Sequence, residues 1–97
     1  SSRNALLSAD ERTRAVAIPR ALAACRARFS AGERDAESLR VVLRERLHGM
    51  VDLEYASVAD PDSMEELETI MQRGVASVAV RIGTVRLIDN IPLAPSD

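Results

Sequence analysis

Ninety-seven residues with 46% hydrophobic content suffice for one small domain with a single core, and leave a narrow margin of stability. The net charge of −2, with acidic and basic residues interleaved, and only Phe29 and Tyr55 as aromatics, argue against nucleic-acid binding, which needs a positive field or base-stacking faces. All 13 basic residues are Arg, so no lysine is available as a Schiff-base former or general base.

The chain opens on Ser1-Ser2-Arg3-Asn4, its densest polar cluster. Two hydroxyls and a guanidinium can surround phosphate oxygens without supplying a proton, at roughly 1.5–3 kcal/mol per charge-assisted contact. A terminus without fixed structure is the alternative, and both readings stand on composition alone. The missing initiator Met and the start inside a polar motif lead us to expect a fragment of a longer protein. Ser8-Ala9-Asp10-Glu11 is a capping-box pattern, with Ser8 accepting from the Glu11 amide and the Glu11 carboxylate reaching back. Behind it, Ala15, Ile18, Leu22, Cys25 and Phe29 recur at helical spacing. Pro19 lies inside that stripe and predicts a kink, since an interior proline costs ~3 kcal/mol if uncompensated. Ser30-Ala31-Gly32 ends the helix.

A second helix is predicted from Asp35 to His48, with Ala36, Leu39, Leu43 and Leu47 as its buried face. Gly49 follows as a C-terminal cap residue, and His48 sits near the negative end of the dipole. Residues 8–48 are thus expected as an antiparallel helical pair. From Val51 to Val58 an alternation of apolar and polar residues predicts a strand, broken by Asp60-Pro61-Asp62. Ser63-Met64-Glu65-Glu66 has capping-box form and predicts a short helix closed by Gly74. Val75–Ile82 and Val85–Ile91 are rich in β-branched residues, with Gly83-Thr84 between them as a type II′ turn. Pro92 and Pro95 are expected to end the order. The fold class expected is α+β: a small antiparallel sheet of about three strands, packed by two longer helices and one short helix.

Side chains with chemical potential have structural explanations as well. Cys25, the one cysteine, lies on an apolar stripe and reads as a buried hydrophobe. His48 reads as a helix-end residue, and the arginines of the first helix as a solvated face with i,i+4 partners. Asp60-Pro61-Asp62 lacks the ligand density of a calcium loop and reads as a turn, so no metal site is expected. Arg81, Arg86 and Asp89 on the hairpin suggest cross-strand charge pairing. No apolar run approaches the ~20 residues that span a bilayer, and no signal peptide is visible. A cytoplasmic protein without a membrane partner is expected.

Three stretches carry a resemblance that goes further. Ser1-Ser2-Arg3-Asn4 with Leu7-Ser8 and the acidic–Arg pair Glu11-Arg12, then Glu54-Tyr55-Ala56-Ser57-Val58-Ala59-Asp60, then Val78 to Ile91 with its Arg86-Leu87-Ile88-Asp89-Asn90, resemble the C-terminal domain of the pantothenate synthetase (pantoate–β-alanine ligase) family. The resemblance spans nearly the whole chain in order, and residues 1–97 are expected as that one domain. It implies a reaction in which ATP and pantoate, with Mg2+, give an enzyme-bound pantoyl adenylate that β-alanine then attacks. It also implies a Rossmann-like N-terminal domain of the same chain carrying the nucleotide and pantoate sites, and a parent homodimer through that domain. By the same resemblance, residues 1–4 are the junction loop in which Ser1, Ser2 and Arg3 hold the ATP phosphates. Arg3 would stabilise charge as pyrophosphate leaves, while the domain acts as a lid. Asp89 and Asn90 are assigned to structure. A stand-alone α+β interaction module is the competing expectation.

Overall fold

In the computed structural model residues 7–95 are described, and they form three helices followed by three strands. Helix α1 spans Ala9–Ala15, α2 Ala17–Ser30 and α3 Ala36–Leu47; strands β1, β2 and β3 span Asp52–Ala59, Gly74–Ile82 and Val85–Leu93. The strands make one antiparallel sheet in the order β1-β2-β3. Helices α2 and α3 pack on one of its faces. The α+β expectation therefore holds for sheet and helical pair. No helix among the described residues is long and apolar enough to cross a membrane.

Pro19 explains the split between α1 and α2. A proline inside a helix lacks the amide that would bond the carbonyl four residues back, and its ring crowds that carbonyl. The carbonyl here belongs to Ala15, the last residue of α1, and Val16 separates the two segments. Proline is thereby moved into the first turn of α2, where a missing amide costs little. Both predicted stripes are buried: Ile18, Leu22, Cys25 and Phe29 from α2, and Ala36, Leu39, Leu43 and Leu47 from α3. They meet Ala76, Val78, Val80 and Ile82 of β2 and Val85, Leu87 and Leu93 of β3 in one cluster.

The short helix predicted after Ser63 is absent. Met64, the second residue of the supposed capping box, has φ 62°, which no α-helix accommodates. The backbone from Asp60 to Arg73 instead covers the edge of β1 and the start of α3. Leu67 N donates to Val58 O at 3.0 Å, Ala36 N to Glu68 O at 2.9 Å and Ile70 N to Arg34 O at 2.9 Å. Isolated bridges join Ala59 to Glu66 and Asp35 to Thr69. Arg40 of α3 fastens this cover, donating to Val58 O (2.9 Å), Leu67 O (2.5 Å) and Glu66 Oε1 (3.0 Å) with its side chain only 11% exposed. Local helix signals lost to tertiary hydrogen bonds between distant segments. Gly74 accordingly opens β2 instead of ending a helix.

Strand β3 also runs past Pro92 to Leu93. Counting from the two-residue loop, Val75–Pro92 falls on a pair whose amides point away from each other, so the absent N–H of Pro92 lies on the open edge and costs no ladder bond.

Candidate functional site

Ser1, Ser2 and Arg3 lie outside the described residues, which begin at Leu7. Leu7 is 4% exposed and anchors the chain in the core. Ser8 caps α1, its Oγ accepting from Glu11 N at 3.2 Å while its own amide donates to Glu11 Oε1 at 3.0 Å. The predicted capping box is complete. Asp10 and Glu11 place two carboxylates at the positive end of α1, and Asp10 pairs with Arg14 at 3.2 Å, one i,i+4 partnership of the kind expected for this face.

The first turn of α1 stands against the tip of the β2–β3 hairpin. Gly83 has φ +60°, and Thr84 does not share the positive sign, which makes the turn type II′ as its sequence predicts. The second carboxylate oxygen of Glu11 fills the space a side chain at Gly83 would need; a Cβ there would overlap Glu11 Oε2 and lie 3.2 Å from its Cδ. The neighbouring Arg12 lines a groove of about 410 Å³ together with Val16, Pro19, Leu87, Ile88 and Asp89. The acidic–Arg pair after the first motif thus straddles the last motif, Glu11 on its turn and Arg12 beside its strand. Asp89 occupies a position of β3 that alternates with Leu87 and Ile91 toward the helices, yet it is exposed, because the groove opens there. One of its oxygens accepts from Asn90 N at 2.8 Å.

On the opposite face of the sheet, Arg81 and Arg86 are direct cross-strand partners. Like charges so placed repel. Glu54 of β1 relieves them, its carboxylate meeting Arg86 Nε at 2.6 Å and Arg81 at 3.4 Å. The Arg86 hydrogen bond, with the two guanidinium charges behind it, holds the Glu54 carboxyl below the usual glutamate range. The register shift between Leu53 and Tyr55 turns Glu54 onto this face. Asp89, on the other face, takes no part in the pairing. Sequence reasoning missed Glu54; the signal was two successive polar-face residues, Glu54 and Tyr55, interrupting an alternation.

The remaining candidates are structural. Burial raises the Cys25 thiol to about 11, which makes it a poor nucleophile. His48 is the C-terminal cap of α3, followed by Gly49 at φ 78°. Asp60 Oδ1 accepts from the amides of Asp62 (2.8 Å) and Ser63 (2.9 Å), the turn chemistry expected of Asp60-Pro61-Asp62. Among the described residues, no three His, Cys, Asp or Glu side chains converge as metal ligands.

The described residues form a small α+β domain whose polar first helix is seated on a hairpin tip. The sequence matches the pantoate-beta-alanine ligase family over residues 1–92, and the chain belongs to that family. It is 48% identical over 95 residues to the pantothenate synthetase of Roseiflexus sp. (strain RS-1), covering 96% of this chain and 34% of that protein. With the pantothenate synthetase of Syntrophobacter fumaroxidans it shares 40% identity, covering 99% of this chain and 35% of the relative. The crystal structure of pantothenate synthetase from Thermus thermophilus superposes with a TM-score of 0.89 at 29% identity, over 98% of this chain and 35% of that one. The chain spans about a third of the length of these relatives, and corresponds to a C-terminal fragment of them.

Proposed function

We propose that this chain is the C-terminal lid of an ATP-dependent ligase that joins pantoate to β-alanine. In the first step a carboxylate oxygen of pantoate attacks the α-phosphorus of ATP, forming the pantoyl adenylate and breaking the bond to pyrophosphate. In the second the amine of β-alanine attacks the acyl carbon, expels AMP, loses a proton and leaves the amide of pantothenate. Ser1, Ser2 and Arg3 would hold phosphate oxygens and offset the charge that develops on the departing pyrophosphate, a role that requires preorganised donors and no proton transfer. The nucleotide and pantoate pockets would lie in a Rossmann-like N-terminal domain, over which this domain closes to exclude water from the adenylate. Mg2+ would be held chiefly by the phosphate oxygens of ATP, with one or two carboxylates of the enzyme.

The observation that supports this reading most is the family match reaching residue 1, joined to a fixed point four residues after Arg3: a buried Leu7 and a complete capping box at Ser8. A phosphate-holding loop is effective only if its base does not move. In the full-length protein, Arg3→Ala should slow adenylate formation by roughly 10- to 1000-fold, the scale of losing one donor to a developing charge. Single-turnover pyrophosphate release measures it, and an unchanged rate would remove Arg3 from the mechanism.

A further inference from the structure

The sheet has two edge strands, and on each a carboxylate takes an outward main-chain amide. In β1, Val58 points its amide and carbonyl away from β2, because the flanking pairs Ser57–Ser77 and Ala59–Val75 carry the ladder bonds. Glu66 Oε1 accepts from Val58 N at 3.3 Å, and Leu67 N donates to Val58 O at 3.0 Å. In β3, counting from the hairpin loop, Arg86, Ile88, Asn90 and Pro92 face away from β2. Asp89 Oδ1 accepts from Asn90 N at 2.8 Å, and Pro92 has no amide to offer. Two of these four outward positions are thus without a free donor. The strands' surroundings differ: residues 60–73 cover the edge of β1, whereas no described backbone segment pairs with the outer edge of β3. Beside the withdrawn amides stands Ile88, 56% exposed. Asp89 itself lies on the inward phase of β3, between Leu87 and Ile91, where an apolar residue would be the ordinary choice. An inward-pointing charge and a proline are two of the devices by which sheet edges avoid pairing with other chains.

We propose that Asp89 and Pro92 guard the edge of β3 against a second copy of this chain, which would otherwise add its own β3 antiparallel to the first. The edge is self-complementary about a twofold axis. With Ile88 opposite Ile88 of the second copy, the two would exchange main-chain bonds and bury each other's exposed side chains, doubling the width of the sheet. In that register the Asn90 amide would have to donate to the Arg86 carbonyl of the second copy, but Asp89 already holds it. Asp89 would also be laid against Leu87 of the second copy, a charge beside an apolar side chain. Symmetry makes each fault occur twice. The guard is independent of the ligase reading and concerns what keeps this domain single.

The 97-residue chain builds its core from its own residues and is the molecule to test. Sedimentation velocity over a range of concentrations measures self-association of the parent, Asp89→Ala, Asp89→Asn, Pro92→Val and Asp89→Ala/Ile88→Lys, with far-UV circular dichroism to confirm that each is folded. The parent should stay a monomer. Asp89→Ala frees the Asn90 amide on both copies and should tighten association by up to about tenfold per freed amide, the scale of one net hydrogen bond. Pro92→Val restores a donor and should act in the same direction. Asp89→Asn keeps an oxygen on the Asn90 amide and should associate less than Asp89→Ala. Adding Ile88→Lys sets like charges opposite each other and should return the Ala variant to a monomer. In Asp89→Ala, hydrogen exchange at the Ile88 and Asn90 amides should slow as association proceeds, which unspecific clumping would not produce. The proposal is overturned if Asp89→Ala is as monomeric as the parent, if Asp89→Asn associates as strongly as Asp89→Ala, if Ile88→Lys fails to reverse the association, or if the parent itself pairs with slowed exchange along β3. Should Asp89→Ala fail to fold, Pro92→Val with and without Ile88→Lys carries the test, and the same outcomes decide it.

Discussion

At the scale of single residues, charge on this molecule is organised by which faces the sheet turns outward. Glu54 is the instructive case: a bulge rotates it onto the face where Arg81 and Arg86 stand opposite each other, and one carboxylate serves two guanidinium groups. Because the folded state holds the Glu54 carboxyl below its ordinary value, chiefly through the Arg86 hydrogen bond, protonation is harder in the folded than in the unfolded chain. The stabilisation is therefore present above the unfolded glutamate value of ~4.3 and is lost as pH falls through the lower folded value. Glu54→Gln should flatten part of the acid limb of stability against pH, read from urea unfolding at a series of pH values below about 5. Part of the slope should survive, since Asp35, Glu37 and Asp60 are held low by their own hydrogen bonds. An acid limb identical to that of the parent would mean the Glu54–Arg86 contact is absent in solution. The pairing of Arg81 and Arg86 was foreseeable from the hairpin; its acidic partner was not, because it comes from a strand about thirty residues earlier whose bulge no periodicity announces.

At the scale of elements, the helices and the hairpin follow from local pattern, and the segment between them does not. Stripes of period 3.6 mark α2 and α3, and Pro19 marks the break before α2. The hairpin follows from two β-branched runs flanking Gly83-Thr84. Leu87 sits on the inward phase of β3 at 9% exposure, beside the groove that Arg12 and Asp89 line. Leu87→Ala should cost about 2–3 kcal/mol, the low end for a buried leucine, because the space it vacates opens toward solvent. The urea midpoint would report it, and a negligible shift would place Leu87 on the wrong face. Residues 60–73 have helix-like caps in sequence yet form a cover over the edge of β1, held by Arg40 and by backbone bonds to Val58, Arg34 and Ala36. An exposed strand edge is a liability, and covering it outweighs a short helix worth little by itself.

At the scale of the whole molecule, the fold presents a first helix and a hairpin tip clasped together. The 97-residue chain by itself should form no adenylate and show no measurable ATP affinity, since one short loop cannot enclose a nucleotide. Calorimetric titration and pyrophosphate release check this, and turnover by the chain alone would overturn the proposal that it is a lid. What the sequence determined unaided was the class of fold, both helical stripes, the turn at Gly83 and the family, because each is written in residues close together in the chain. The tertiary structure alone decided that Glu11 rests on Gly83, that Glu54 serves Arg81 and Arg86, and that residues 60–73 abandon their helix. Each of those outcomes is a contact between segments distant in sequence, where side-chain geometry and competing hydrogen bonds choose among partners that local pattern leaves equal.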